Sequence, residues 1–402
     1  MKSLQSFWSA FKARLRRHTL ADNAIVISAA LALAPASALL YLTPVRFLRL
    51  TAIGRIGHLV GDVATFVKSR TLGKTGVHGV LISPPGVAAN ECVLDYWRRH
   101  VTVVRSPFLA KILTHLARFP YLAHDAGYQD VNETAPFIAV EREWGHRPPL
   151  LELNEAHRRR GQAWLAALGV PRQAEFICFH SREPGYSPQD EAVHAFRNSS
   201  IENYLPAVSE LAGRGFWCVR MGDPSMRRIG AMDKVIDYAH LDSRSDWLDV
   251  FLCASCRFFL GSCSGLLNLA NVFGRPCAVA NQAPLSHVYN FGINDIAIPK
   301  LLWSESERRH LTFGEVLRSD ASNFRVAKLY EERGLRPVEN TAEDVRDLAL
   351  EMLERSEGRA VYTEKDEALQ QRFTALMRPG HHSYGGINRV GREFLRKYES
   401  LL

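Results

Sequence analysis

Short unbroken apolar runs and longer stretches with apolar positions three and four apart take turns along this chain from Val45 onward. Runs of the first kind read as buried strands, and those of the second as helices with one apolar face. VRFLRLTAIG predicts a strand, RIGHLVG a glycine-bearing turn and DVATFVKSR a helix. HGVLIS, ANECVLDYWRRH, VTVV and PFLAKILTHLARF continue as strand, helix, strand and helix. Alternation at this interval predicts βαβ units and a parallel sheet.

The pattern restarts further on. Residues 148–169, PPLLELNEAHRRRGQAWLAALG, predict a helix that ends at a glycine after a proline-marked break. EFICFHSRE, YLPAVSELAGRG, FWCVRMGD, KVIDYA, DWLDVFLCAS, RFFLG and CAVAN then alternate again. The expected organisation is α/β, with two Rossmann-like domains facing across a cleft. Residues 45–150 form the first, 151–170 a linker helix and 171–335 the second. Residues 336–402 are C-terminal helices that cross back onto the first domain.

Residues 1–44 break the pattern. Residues 1–18 set Lys2, Lys12, Arg14, Arg16, Arg17 and His18 among Leu4, Phe7, Trp8, Phe11 and Leu15 at helical spacing, with no acid. A basic amphipathic helix of this kind suits the surface of an anionic membrane. The uncharged, alanine-rich run from Ala24 to Leu42 is broken by Pro35 and makes a weak span. An in-plane or hairpin-like membrane contact is the favoured expectation. A cleaved signal ending near APASA, a single span and plain burial against the first domain are the alternatives.

Composition narrows the class without naming it. A chain of 402 residues, 47% hydrophobic and 23% charged, has room for two domains with real cores. Its net charge of +8 suits acidic ligands, nucleotide phosphates, nucleic acid or an anionic membrane. The strand-end arginines lack an interleaved aromatic platform, which argues against nucleic acid. Seven irregularly spaced cysteines speak for a reducing compartment and core packing. The CASC pair at Cys253 and Cys256 has no second pair to complete a zinc site.

The richest segment is residues 257–281, RFFLGSCSGLLNLANVFGRPCAVAN. It predicts strand, small-residue turn, helix and strand, an outline suited to a phosphate. Arg182 ends the strand EFICF and Arg220 the strand FWCV, so two guanidiniums join the SCSG turn along one sheet edge. A buried ion bridge is the alternative for Arg220. In the first domain Gly54, Gly57 and Gly61 depart from the dinucleotide-binding fingerprint, and His78-Gly79 stands where its acid would fall. A dehydrogenase is excluded on that ground. His58 and Asp62, one helical turn apart, are candidate general bases toward a hydroxyl; a packing histidine and a helix cap are the alternatives.

RIGHL, FHSRE, RNSSIENY, VRMGD, VIDYA and FFLGSCSGL together resemble an uncharacterised bacterial family of glycosyltransferase-like proteins, from about Arg46 to the C-terminus. The resemblance implies the GT-B architecture, with the donor nucleotide in the second domain and the acceptor against the first. FHSR also resembles the His-x-Arg element of fucosyltransferases, which implies a donor-diphosphate contact for Arg182. Glu183-Pro184-Gly185 follows where those enzymes carry a second basic residue, so the donor sugar stays open. SCSGLLNLANVFGRP is similar to a GT-B donor segment, implying donor contacts for Ser262, Ser264, Gly265 and Asn268.

The expected activity is sugar transfer from a nucleotide diphosphate donor to a surface-glycan or lipid-linked acceptor. No metal or cofactor is expected, since no Asp-x-Asp motif is evident. The expected place is the cytoplasm, peripheral to the inner face of the membrane. A nucleotide-sugar epimerase or hydrolase of the same fold, or a non-catalytic glycan binder, are the rival readings.

Overall fold

A computed structural model describes residues 32–126, 136–185, 187–288 and 292–402. The basic and apolar residues before position 32, read above as a membrane contact, lie outside that range, and residues 32–41 are helical. The first half holds β1 (Val45–Arg49), β2 (His78–Ile82), β3 (Thr102–Val104) and β4 (Ala123–Asp125) in the order β3-β2-β1-β4. All three pairings are parallel.

The second half holds β5 (Phe176–His180), β6 (Trp217–Arg220), β7 (Val235–Ile236), β8 (Phe259–Ser262), β9 (Cys277–Gln282) and β10 (Ile296–Pro299). Beside it β11 (Leu301–Ser304), β12 (Arg309–His310) and β13 (Leu335–Val338) make a small antiparallel sheet. The strand β14 (Arg389–Val390) completes the large sheet, whose order is β14-β10-β9-β8-β5-β6-β7. Without β14 this is the dinucleotide-fold order, reversing between β5 and β8. The first sheet reverses likewise between β1 and β4. The chain thus forms the expected pair of Rossmann-like halves, the GT-B arrangement.

Local sequence explains the layers. Every residue of β5, β8, β9 and β10 is buried, because helices cover both faces of a parallel sheet; hence their continuous apolar runs. The linker helix, α2 in a series that begins with α1 (Ile56–Thr71), spans Glu155–Ala167. The Asn154 side chain accepts the His157 N–H at 2.7 Å at its start, and Gly169 at φ +83° follows its end. Pro206 lies in the first turn of α3 (Leu205–Gly213), as its fixed φ predicts. Ser200 caps the short 3-10 turn Ile201–Asn203 ahead of it, its side chain accepting the Glu202 N–H at 3.3 Å.

RIGHLVG is not a turn: α1 begins at Ile56, so Gly57, His58, Gly61 and Asp62 are helical. Its glycines imitate a turn in sequence, but in space they thin one face of the helix. Toward the C-terminus, α5 (Ala342–Ser356) packs on α3, β9 and β10 of the second half, once α4 (Leu266–Val272) has been placed after β8. The segment around His382 and Gly385 meets Phe137 and Arg142 of the first half.

Candidate active site

Both switch points face the seam between the halves. In open α/β sheets, ligands bind beyond the carboxyl ends of the strands at that place. From the first half comes α1, directly after β1. His58 Nδ1 lies 3.4 Å from Asp62 Oδ1, and the other Asp62 oxygen accepts the Thr51 N–H at 2.9 Å. Asp62 is buried and no helix cap; it ties α1 to the loop leaving β1. Part of the His58 side chain stays accessible. A buried carboxylate behind an accessible imidazole can hold one tautomer.

The second half supplies charge. Arg182 leaves β5, and its backbone N–H donates to Ser262 Oγ at 2.7 Å. Its guanidinium reaches the His194 carbonyl oxygen at 3.4 Å and Glu191 at 3.7 Å. Burial and the neighbouring Arg197 hold Arg182 below its ordinary pKa. Arg197 donates to the Cys263 carbonyl oxygen at 2.7 Å, while its Nε and the buried Ser264 Oγ have no hydrogen-bond partner among the described residues. Lys300, just past β10, donates to the Asn198 carbonyl oxygen at 2.5 Å. Burial pushes its ammonium down to about 8. Two guanidiniums and a buried ammonium therefore surround the turn after β8, with Glu191 and Glu339 as nearby carboxylates.

Much of the RNSSIENY block builds this place without facing it. Ser181 Oγ donates to the Ser199 carbonyl oxygen at 2.5 Å, and the Ser199 N–H donates to the Arg182 carbonyl oxygen at 2.9 Å. Tyr204 OH accepts from Asn281 Nδ2 at 3.2 Å. The loop carrying Arg197 is thereby pinned to β5 and β9. His180 is buried with Nδ1 donating to the Met221 carbonyl oxygen at 3.1 Å, and burial lowers it to about 4. It is a neutral packing residue.

Several expected donor contacts take other partners. Arg220 has no exposed surface: Nη2 meets Glu183 at 2.9 Å, Nη1 meets Asp237 at 3.4 Å, and Nη1 donates to the Arg227 carbonyl oxygen at 2.5 Å. The expected phosphate ligand is the buried ion bridge instead, with Glu183 and Asp237 as its acids. Ser262 is also internal, its oxygen occupied by Arg182 N–H. Gly265 and Asn268 face α1: Asn268 Nδ2 donates to the Gly57 carbonyl oxygen at 3.0 Å. A Cβ on Gly265 would lie 2.5 Å from Gly57 N. The helix α4 has seven residues, and its first turn abuts the other half. Side-chain cations, not that helix terminus, carry the positive field.

Lys300 and Arg197 join the site only through the fold. The signal for Lys300 was present, a basic residue directly after the apolar run IAIP. Arg197 lies in a loop whose direction only the Ser199 and Tyr204 hydrogen bonds settle. Among the described residues, no group of three or more His, Cys, Asp or Glu could hold a metal ion. Cys253 and Cys256 are buried free thiols.

No protein-family model matches the chain, and no curated protein matches it in sequence. Solved structures do. A glycosyl transferase family 9 protein from Veillonella parvula matches with a TM-score of 0.46 at 12% identity, over 77% of this chain and 96% of that one. The E. coli ADP-heptose LPS heptosyltransferase II matches at 0.40 and 11%, over 63% and 89%. E. coli heptosyltransferase WaaC with ADP-2-deoxy-2-fluoro heptose matches at 0.33 and 12%, over 66% and 94%. Likeness at this level carries no argument about activity, and none of these matches bears on the fucosyltransferase-like element.

Proposed function

We propose that the protein is a glycosyltransferase of the GT-B kind that works without a metal ion. It moves a sugar from a nucleotide diphosphate donor held by the second half to a surface-glycan or lipid-linked acceptor held against the first. The observation that carries this reading is the convergence of Arg182, Arg197 and Lys300 on the turn after β8, at the switch point of the second sheet. Clustered cations in a desolvated place repel one another, and an anion relieves that repulsion.

A leaving nucleoside diphosphate is the anion that such a cluster stabilises as the glycosidic bond to the donor breaks. The ribose and base would lie along the β5 and β8 ends, with Ser264 Oγ available as a hydrogen-bond partner. His58 would take the proton of the attacking acceptor hydroxyl in an inverting reaction, with Asp62 orienting the imidazole. Asp62 is then a positioning residue and His58 the base. Arg220 is a positioning residue too, holding Glu183 beside the Arg182 loop. The body of the enzyme stays in the cytoplasm, where activated nucleotides are available, and residues 1–44 give it a peripheral hold on the membrane.

A thermal-shift screen against UDP, GDP, ADP, CMP and dTDP sugars tests the reading. A ligand at 100 times its dissociation constant adds about 2.7 kcal/mol of stability. One nucleotide sugar should raise the midpoint in the natural protein and not in Arg182→Ala. No shift with any donor, or full transfer activity in Arg182→Ala, would refute the site. Sustained epimerisation without an acceptor would replace transfer by epimerase chemistry.

A further inference from the structure

The first half carries a second surface on which the donor site makes no demand. Helix 32–41 and the helix Pro107–Leu116 share a small apolar cluster apart from the main core. Phe47, Val80, Leu116 and Leu122 form it, with Leu33, Leu40 and Leu113 packed against them. Tyr121, in the short 3-10 turn Pro120–Leu122, ties that turn to helix 32–41. Its ring stands edge-on to Tyr41 at 5.4 Å, and its hydroxyl is 2.7 Å from Ser37 Oγ.

Outside that cluster both helices turn apolar side chains to solvent. Leu39, Leu42 and Phe108 are 70, 81 and 72% exposed, and Leu109 and Ile112 are exposed beside Phe108. Phe108 and Ile112 are one helical turn apart, so with Leu109 they make one stripe. Isolated exposed apolar side chains are ordinary; four on two helices that share one cluster, with Leu42 just past the first, mark an interaction surface.

The sequence around it is basic. Lys111 is exposed on the same helix, and the sequence from Tyr96 to His124 holds five Lys/Arg and no acid. Residues 1–124 hold sixteen Lys/Arg against four Asp/Glu, a balance of +12 in a chain whose total is +8. All of the excess positive charge therefore lies in this part of the chain. Helix 32–41 also follows directly on the basic, apolar sequence of residues 1–31. Among the described residues, no helix is long and apolar enough to cross a membrane.

We propose that this surface seats the first half in the plane of an anionic lipid bilayer. Phe108, Leu109 and Ile112, with Leu39 and Leu42, enter the boundary between headgroups and acyl chains, and Lys111 faces lipid phosphates. The helix Pro107–Leu116 begins just beyond the carboxyl end of β3, the sheet edge from which α1 also departs. The lipid contact stands on the exposed surface alone, whereas its use for a lipid-linked acceptor rests on the proposed activity.

The test is flotation of the full chain with vesicles of phosphatidylcholine alone or with about 30 mol% phosphatidylglycerol, at low and high salt. The natural protein should float with the anionic vesicles and be released by salt. Phe108→Ser/Ile112→Ser and, separately, Lys111→Glu should bind at least about tenfold more weakly with unchanged thermal midpoints and unchanged nucleotide-sugar affinity in solution. Absence of binding by the natural protein would overturn the proposal. So would undiminished binding of both variants, which would place the contact in residues 1–31. A dimer in sedimentation that the double substitution dissolves would also overturn it, making the surface homotypic. Donor binding is read separately, so a failed lipid contact leaves the transferase reading untouched.

Discussion

The seam between the halves can be tested at one atom. Gly265 has φ −71° and ψ −20°, a conformation that any L-residue adopts. If nothing lay against it, Gly265→Ala would stabilise the protein by about 0.4–1 kcal/mol, through the unfolded chain. In the structure the added Cβ would stand 2.5 Å from Gly57 N and 2.8 Å from Gly57 Cα, both backbone atoms of α1. Comfortable contact needs about 3.5–4.0 Å, so the two helices must part by about 1 Å. Such overpacking costs about 1–3 kcal/mol, and the Asn268 hydrogen bond to the Gly57 carbonyl oxygen, 3.0 Å long, is strained with it. The two cases predict opposite signs.

Thermal unfolding of Gly265→Ala should therefore show a lowered midpoint, and hydrogen exchange should quicken in the first turns of α1. Gly57→Ala in the same background should be non-additive by at least about 0.5 kcal/mol, because helices already parted have less left to lose. A raised midpoint with unchanged exchange in Gly265→Ala would refute the closed glycine contact. The candidate site would then have to be redrawn with its halves apart.

Arg220→Met should destabilise by about 3–5 kcal/mol in chemical denaturation, since Glu183 and Asp237 lose their buried counter-charge; a loss of donor affinity at full stability would instead restore direct contact. His58→Asn should lower kcat by about 10²–10⁴ while donor affinity by calorimetry stays unchanged, and Asp62→Asn should lower kcat by a smaller factor at the same unchanged donor affinity. Lys300 carries its charge below about 8 in the free protein, so donor affinity should fall as pH rises through that value. Lys300→Met should flatten the profile, and a profile unchanged by the substitution would remove Lys300 from the site.

How much was legible beforehand differs between elements. The unbroken runs FICF, RFFLG and CAVAN marked central strands because both faces of a parallel sheet are covered. The glycine after residue 168 and the proline at 206 marked helix ends through their own backbone limits. RIGHLVG misled for a physical reason. A helical glycine costs about 1 kcal/mol against alanine, so two of them argue locally for a turn. What sets against that cost is the close approach of α4, a contact 208 positions away at Gly265 and invisible to any local pattern.

The site divides the same way. A basic residue at a strand end is visible in sequence, and Arg182, Arg220 and Lys300 all have that mark. Its direction is not, because side-chain orientation follows from which carboxylates the fold brings near. Glu183 and Asp237 claim Arg220, whereas Arg182 is left beside Arg197 with a long contact to Glu191. The sequence by itself determined the two α/β halves, the strand-end cations and the basic, apolar beginning, since these depend on residue order and period. Tertiary structure alone decided which arginine is buried and paired, which glycines join the halves and which apolar helix face meets solvent, since each depends on residues far apart in the chain.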